Sequence, residues 1–262
     1  MKSLGLKNKT ILLTGAGGYL GQAVACQLAS AGANVLLNGR ASGSLEKIRT
    51  KIQNSGGSAT SIVGDISDGN SQTSICQEIQ TKFGKLDGLV NNAYSGTVGG
   101  IKHVNQDDMR NSLELNVVAP FFLTRRLIPL LTKSGAGSVV NIASIYGMVS
   151  PDPSIYSEAR GENPSFYGAG KAGLIQLTRY LSCHLTRNNI RVNCVSPGPF
   201  PSDIVQRNDP EFIKKLAHKV PMGRIGRAEE VGGAVQFLLS DAASYVTGVN
   251  IPVDGGWTAG SN

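Results

Sequence analysis

The sequence has few of the residues from which metal sites and disulfide frameworks are built. Its three histidines, His103, His184 and His218, are scattered, with no carboxylate or cysteine at metal-ligand spacing beside them. Its four cysteines form no CxxC pair, and an even count alone does not make a disulfide framework in a chain of 262 residues. We therefore expect no zinc site, and reduced thiols as in a cytosolic protein.

The chain also lacks the long runs that mark membrane and nucleic-acid proteins. Hydrophobic residues make up 40% of it, but no run is long enough to cross a bilayer, and the N-terminus lacks the apolar stretch of a signal peptide. It has no basic tract or arginine–aromatic array. No Gly-x-Ser-x-Gly elbow is present, which disfavours a serine hydrolase. We expect a cytoplasmic protein with neither membrane nor nucleic acid as a partner.

Strand-like and helical segments alternate along the sequence. Seven short apolar runs predict strands, at 10–14, 34–39, 59–63, 86–90, 138–142, 190–195 and 250–253. Helical stretches lie between most of them. This alternation predicts an α/β fold, a Rossmann-type doubly wound parallel sheet with helices on both faces, in a single domain spanning residues 1–262. Ligands of such sheets bind beyond the carboxyl ends of the strands. Four positions fall there: Gly15, Asn92, Ser144 and Pro197.

A glycine-rich turn follows the first predicted strand. A helix from Gln22 to Ala31 comes after it, and strand, glycine turn and helix together form the context of a dinucleotide site. Glycines allow the backbone to approach a pyrophosphate closely, and the helix N-terminus supplies N–H donors. The residues predicted to contact the cofactor at this turn are Gly15, Gly18, Tyr19, Leu20 and Gly21.

The exit of the second strand indicates which dinucleotide is bound. An acidic residue there suits the ribose hydroxyls of NAD, whereas an arginine suits the 2′-phosphate of NADP. The sequence reads Asn38-Gly39-Arg40, with no carboxylate until Glu46. It therefore favours NADP(H), without excluding NAD(H). A net charge of +7 and a pI near 9.3 agree with anionic ligands, including a phosphorylated or nucleotide-linked sugar or an acidic carrier protein.

Tyr167 and Lys171 stand four residues apart in a segment with helical periodicity, 167–186, so their side chains share one helix face. A nearby cation lowers the pKa of a phenol from its usual value of about 10. A phenol tuned in this way can give or take a proton at a substrate oxygen. Ser144 and Asn116 complete the candidate catalytic set.

Taken together, these motifs resemble those of the short-chain dehydrogenase/reductases, in the compact single-domain branch that includes 3-oxoacyl-carrier-protein reductases and related ketone and sugar reductases. The resemblance covers nearly the whole length. The matching strings are Thr14-Gly15 with its following glycines, Asp65-Ile66, Asn91-Asn92-Ala93, Asn116, Ser144, Tyr167, Lys171, Pro197-Gly198, Pro221 to Arg224, Tyr245 to Gly248 and Val253 to Gly256.

The resemblance implies a role for each matched residue. Tyr167 would be the general acid in reduction and the base in oxidation. Lys171 would lower the pKa of Tyr167 and hold the nicotinamide ribose. Ser144 would bind the substrate oxygen, and Asn116 would hold a relay water. Asp65 and Ile66 would contact adenine, and Asn92 and Ala93 the ribose. Pro197, Gly198 and Phe200 would flank the carboxamide, and Ser202 would replace the family's threonine. The cofactor contacts added here are Asp65, Ile66, Asn92, Ala93, Tyr167, Lys171, Pro197, Gly198, Phe200 and Ser202, besides Asn38 and Arg40.

The implied function is hydride transfer between NADP(H) and a ketone or secondary alcohol, in a homotetramer or homodimer. The substrate would be a small carbonyl or alcohol molecule, for which the net charge favours an anion. Two alternatives stay open. One is a sugar-nucleotide epimerase or dehydratase, because the glycine spacing, with Tyr19 in place of a glycine, is closer to that of those enzymes. The other is a non-catalytic NAD(P) sensor, although a sensor has no need of a proton relay.

The sequence also departs from the family between Ser144 and Tyr167, where the gap is longer than usual. The added segment, 150–164, is rich in proline and polar residues, which predicts a loop. We predict substrate loops at about 145–166 and 199–220, the second a mobile insertion over the nicotinamide. Within the first, Tyr156 and Arg160 form a second Tyr-x-x-x-basic string to which we assign no catalysis, and Glu158, Arg160 and Glu162 are predicted to be solvated.

Overall fold

Seven parallel strands form one sheet at the centre of the computed structural model, which describes residues 3–94, 96, 99–156 and 161–260. The strands are β1 Thr10–Leu13, β2 Asn34–Gly39, β3 Ser58–Val63, β4 Gly88–Asn91, β5 Gly137–Ile142, β6 Ile190–Pro197 and β7 Asn250–Val253. Their order across the sheet is β3-β2-β1-β4-β5-β6-β7. The order of the strands in the chain changes direction between β1 and β4, while all strands stay parallel. All seven predicted strands and the parallel Rossmann-type sheet are confirmed.

Helices cover both faces of this sheet, as predicted. Their bounds are α1 Tyr19–Ser30, α2 Ser42–Asn54, α3 Gly69–Phe83, α4 Gln106–Leu113, α5 Ala119–Lys133, α6 Ser165–Leu185, α7 Asp203–Asn208, α8 Pro210–Lys219 and α9 Ala228–Leu239. Side chains of α1, α2 and α9 form one buried cluster against the sheet, and those of α3, α5 and α6 form another on the opposite face. Neighbouring strand residues alternate between the two clusters, because strand side chains point alternately to opposite faces.

The segment 199–220, predicted as a loop, instead contains the helices α7 and α8. Asp209 caps α8 by accepting a hydrogen bond from the Phe212 amide, at 3.1 Å, and Pro210 takes the first helical position, where a missing N–H costs nothing. These local signals outweigh the polar composition of the segment. Helix α1 likewise begins at Tyr19, not at Gln22, because Gly18 has the extended conformation of an N-cap.

The helical stretch Gln106–Lys133, which joins α4 to α5, is long and apolar enough to cross a membrane by length and composition alone. Its apolar side is already used within the protein, since Leu123, Leu127 and Leu130 lie in the buried cluster under the sheet. Core packing therefore accounts for its composition.

The inserted segment between β5 and α6 has little regular structure, which agrees with the prediction of a loop. The part that the structure describes contains one short 3₁₀ turn, Pro153–Ile155. Ile155 is buried beside Leu216 and Val220 of the α8 region, so the insertion packs against that helix. Glu158 and Arg160 lie outside the described residues.

Candidate functional site

A cavity of about 550 Å³ runs along the carboxyl ends of the strands. It is lined by all but one of the predicted site residues: Gly15, Gly18, Tyr19, Leu20, Gly21, Asn38, Arg40, Asp65, Ile66, Asn92, Ala93, Ser144, Tyr167, Lys171, Pro197, Gly198, Phe200 and Ser202. Asn116 lies behind it. The fold thus brings together residues that are spread over most of the chain, at the edge where ligands of open α/β sheets bind.

The glycine turn at one end of the cavity is locked to the end of β4. The Thr14 hydroxyl oxygen accepts hydrogen bonds from the amides of Asn92 and Ala93, at 3.0 and 3.1 Å, and the Asn92 side chain donates to the Gly15 carbonyl, at 3.1 Å. Gly15 has a φ of +63°, and a Cβ there would lie 2.6 Å from the Ala93 Cα. Only glycine can hold this left-handed, crowded position.

Tyr19 reaches from the glycine turn across to α7. Burial, the nearby carboxylates of Asp203 and Glu229, and a hydrogen bond to Asp203 raise the pKa of its phenol, and a hydrogen bond from Gln206 opposes them. The half-buried ring therefore connects the glycine turn to α7 along the cavity wall. The predicted contact of Tyr19 with the cofactor stays a prediction, for which its place in the cavity lining is suited.

Arg40 and Asp65 lie together in the lining of the cavity. The two side chains are 3.9 Å apart, and the Arg40 side chain is 69% exposed, so its guanidinium is available to a ligand. Burial alone would raise the pKa of Asp65, but hydrogen bonds from Ser67 and the charge of Arg40 lower it overall. Ser44, in the first turn of α2, also lines the cavity and was missed by the sequence analysis.

Asn38 lines the cavity, but its side-chain amide nitrogen is already hydrogen-bonded within the protein. Its Nδ2 donates to the carbonyls of Ile62 and Gly64, at 3.0 and 3.2 Å, and the residue is buried. Asn38 therefore fastens β2 to the exit of β3. The predicted contact of Asn38 with the cofactor stays a prediction, since the residue lines the cavity while its side-chain donors hold the two strands together.

Ser144 and Tyr167 meet in the lining of the cavity. Burial raises the pKa of the Tyr167 hydroxyl, and a hydrogen bond from Ser144 acts against this rise. Ser144 follows β5, and its Oγ accepts a hydrogen bond from the Tyr146 amide, at 3.2 Å. The serine is thereby held at the strand end with its hydroxyl directed at the phenol.

Lys171 lies beside this pair but does not lower the pKa of Tyr167 in the way that the sequence suggested. Its Nζ donates to the Ile142 carbonyl, at 2.8 Å, and lies 5.7 Å from the centre of the Tyr167 ring. Burial lowers the pKa of Lys171 to about 8. Desolvation of the phenol is the largest influence on the pKa of Tyr167, which therefore rises instead of falling.

Asn116 occupies a π-helical turn, Glu114–Val118, between α4 and α5. Its Nδ2 donates to the carbonyl and hydroxyl oxygens of Ser112, at 2.9 and 3.2 Å, while its buried Oδ1 has no partner among the described residues. A Cβ on Gly170 would lie 2.9 Å from this amide, so Asn116 packs directly under the helix that carries Lys171. Single π turns of this kind are frequent at functional sites.

Tyr94 was missed by sequence reasoning and lies at the centre of the site. Its ring meets that of Tyr167 edge-on, with centroids 4.9 Å apart, and Lys171 Nζ is 5.4 Å from its centre. Its only sequence signal was its place after Asn91-Asn92-Ala93. Tyr94 also lines a second cavity of about 340 Å³, on the side of Tyr167 away from the glycine turn.

Comparison with known proteins gives a consistent result. A family model described as Enoyl-(Acyl carrier protein) reductase matches residues 15–258. A tropinone reductase homolog of Arabidopsis thaliana is 37% identical over 97% of this chain and 91% of its own length. A 3-oxoacyl-[acyl-carrier-protein] reductase of Thermotoga maritima is 30% identical over 96% and 98%.

A solved structure agrees with these sequence relatives. The structure of a gluconate 5-dehydrogenase from Burkholderia cenocepacia in complex with NADP and tartrate superposes with a TM-score of 0.88, at 26% identity over 98% of each chain. Together with the cavity at the strand ends and the Ser144–Tyr167–Lys171 cluster, these matches show that the chain belongs to the short-chain dehydrogenase/reductases, a family of NAD(P)-dependent oxidoreductases.

Proposed function

We propose that this protein transfers hydride between NADP(H) and a ketone or secondary alcohol, with Tyr167 as the general acid and base. The observation that carries the proposal is the hydrogen bond between Ser144 and Tyr167 at the end of the cavity, beside the buried Lys171. A phenol, a hydroxyl donor and an ammonium converging on one point are suited to polarising and protonating a carbonyl oxygen.

The residues present fit a nicotinamide dinucleotide. The glycine turn leads directly into the N-terminus of α1, which begins at Tyr19 and whose backbone N–H groups suit a pyrophosphate. Gly15 to Gly21 would hold the pyrophosphate, Asp65 and Ile66 the adenine, and Pro197 and Gly198 the nicotinamide carboxamide. The bound nicotinamide would supply or accept the hydride, and the protein would supply orientation and proton handling.

During reduction, Ser144 donates a hydrogen bond to the substrate oxygen and Tyr167 delivers the proton. Because burial raises the pKa of Tyr167, its hydroxyl stays protonated at neutral pH and is ready to act as an acid. The phenolate left behind is stabilised by the Ser144 hydroxyl and by the charge of Lys171. The unpartnered Oδ1 of Asn116 is an acceptor behind Lys171, where a water could pass protons from solvent.

The test is an assay of purified protein with NADPH or NADH and a broad panel of aldehydes and ketones. We expect NADPH to be oxidised with one equivalent of alcohol formed for each cofactor consumed. Cofactor binding without oxidation by any carbonyl compound would contradict the proposal and support a nucleotide sensor instead. No observation favours a sugar-nucleotide epimerase or dehydratase.

We further propose that NADP(H) is the preferred cofactor, because Arg40 and Ser44 lie together at the adenosine end of the cavity. Arg40→Ala is expected to raise the Kd for NADPH by about 10–100-fold, since hydrogen bonds to charged groups are worth about 1.5–3 kcal/mol. The Kd for NADH should change by less than about twofold. Fluorescence titration of both cofactors measures this.

Arg49→Ala is the matched control, because Arg49 lies on α2, the helix that follows Arg40 in the chain, and pairs with Glu46 outside the cavity. An equal loss of affinity for NADPH and NADH in the Arg40 variant would show that Arg40 does not read the 2′-phosphate. Cytoplasmic location and a homotetramer or homodimer stay predictions.

A further inference from the structure

Tyr94 stands where two cavities meet, the first cavity, which the glycine turn lines, and the second cavity beyond Tyr167. The residues that line both are Tyr94, Ser144, Tyr167, Gly198 and Phe200. Ser144 and Tyr167 form the catalytic pair of the proposed reaction, and Gly198 and Phe200 follow β6. Tyr94 comes from the segment that follows β4, and no step of the proposed reaction uses it.

The rings of Tyr94 and Tyr167 form two sides of a corner around the Lys171 ammonium. The two ring planes are inclined at 70°, with their centroids 4.9 Å apart. The Lys171 Nζ lies 5.4 Å from the centre of the Tyr94 ring and 5.7 Å from that of the Tyr167 ring. Both distances are within the roughly 6 Å over which the quadrupole of a ring attracts a cation. Tyr94 therefore interacts with both the proposed proton donor and the cation beside it.

Lys171 is a buried cation whose neighbours in the described part of the chain are uncharged. Burial lowers its pKa to about 8, and the neighbouring Cys194 acts in the opposite direction. Burial also raises the pKa of Cys194 to about 12, so this thiol is neutral at physiological pH and is no counter-ion. The described groups that stabilise the ammonium are the Ile142 carbonyl, 2.8 Å from Nζ, and the two rings.

An aromatic ring suits this position better than a carboxylate would. A carboxylate beside the ammonium would cancel much of its charge, and the phenolate that forms on Tyr167 would lose the attraction of a nearby cation. A ring attracts the ammonium through its quadrupole but carries no net charge, so the positive field at Tyr167 persists. Burial and the neighbouring Tyr167 raise the pKa of the Tyr94 hydroxyl, which therefore stays protonated and neutral as well.

We propose that Tyr94 is a positioning residue whose ring stabilises the Lys171 ammonium without neutralising it and holds the Tyr167 ring in place beside Ser144. The inference rests on the proposed reductase function and adds a residue to its machinery. The ring carries this role and the Tyr94 hydroxyl does not, which distinguishes Tyr94 from Tyr167, whose hydroxyl delivers the proton.

Two substitutions separate the ring from the hydroxyl, assayed with the best ketone of the carbonyl panel. Tyr94→Phe keeps the ring and is expected to retain at least about half of kcat. Tyr94→Leu keeps apolar bulk without a π system and should lower kcat by about 3–30-fold, the range of a cation–π contact. KM and the Kd for NADPH should change by less than about threefold, because the ring acts on the proton donor. Tyr245→Leu, at a fully exposed tyrosine outside both cavities, is the matched control and should keep full activity.

Fluorination of the ring tests the π system at nearly constant shape. Phenylalanine and pentafluorophenylalanine, each incorporated at position 94, differ in the charge distribution of the ring that attracts a cation. We expect kcat to be about 3–10-fold lower with the fluorinated ring. The pKa of Lys171 should also fall, by about half a pH unit or more, because the unfluorinated ring favours the charged form. NMR titration of protein with ¹³C-labelled lysine measures this pKa without turnover, and Lys171→Met identifies the signal.

The possible results separate this inference from the proposed function. A Lys171 pKa that is the same with both rings would overturn the inference and leave the reductase function standing. A loss of kcat in Tyr94→Phe as large as in Tyr94→Leu would also overturn it, because the hydroxyl would then be the active group. If Tyr94→Leu does not fold, the comparison of the two rings decides. Failure of the unmodified protein to reduce any carbonyl compound would overturn the proposed function, while the Lys171 pKa still shows whether Tyr94 stabilises the ammonium.

Discussion

Tyr167→Phe is expected to lower kcat for ketone reduction by about 10²–10⁴-fold, the range in which a positioned general acid contributes. The substitution removes only the hydroxyl that accepts the Ser144 hydrogen bond and donates the proton. The ring, its edge-on contact with Tyr94 and the cavity shape are retained. The Kd for NADPH should therefore stay within about threefold of the original value. Steady-state kinetics and fluorescence titration measure the two quantities separately.

Tyr180→Phe is the matched control, since Tyr180 lies on the same helix but is exposed and stacks on His184. It should keep full activity.

The pH profile of the unmodified protein gives a further signature. Because burial raises the pKa of Tyr167, reduction should continue at neutral pH and fall only on the alkaline side, where the phenol ionises. A Tyr167→Phe enzyme that retains more than a tenth of kcat would contradict a role for this hydroxyl as the acid.

Gly21→Ala is expected to raise the Kd for both cofactors by at least about 30-fold and to lower the Tm. A Cβ at this position would overlap the carbonyl oxygen of Gly15 and would come within 3.0 Å of the Ala16 Cα, both of them backbone atoms that cannot move aside independently. Overpacking of this kind costs about 1–3 kcal/mol. The displaced turn would also carry the α1 N-terminus away from the pyrophosphate position.

The control is Gly233→Ala, the same substitution inside α9, where a Cβ would meet no atom within 4 Å. It should leave cofactor affinity unchanged and raise the free energy of unfolding by about 0.5–1 kcal/mol, because alanine is the better helix former. Thermal unfolding and cofactor titration of the two variants make the comparison. Normal cofactor affinity in a folded Gly21→Ala protein would show that this close approach is dispensable.

Local electrostatics were less predictable from sequence than which residues line the cavity. The four-residue spacing correctly indicated that Tyr167 and Lys171 share a helix face, but it carried no information about burial. Both groups are desolvated, which raises the pKa of the phenol and lowers that of the ammonium to about 8. A pKa depends on competition between desolvation and nearby charge, and that competition is decided by the surroundings in space.

The lining of the second cavity was likewise not predictable from the sequence. Net charge is a property of the whole chain and favoured an anionic substrate, whereas none of the described residues that line the second cavity is a lysine, arginine, aspartate or glutamate. Tyr94 gave no signal of its own, because a tyrosine after a strand is common. Its importance comes from meeting the Tyr167 ring in three dimensions.

By itself, the sequence determined the seven strands, the glycine turn and most of the residues that line the first cavity. These follow from local apolar periodicity and from motifs whose parts are close together in the chain. The tertiary structure alone decided the helices α7 and α8, the use of Asn38 as a brace between strands, the direction of the Tyr167 pKa shift and the contact between the Tyr94 and Tyr167 rings. Those properties depend on which distant side chains pack together and exclude water, and short-range pattern does not encode that.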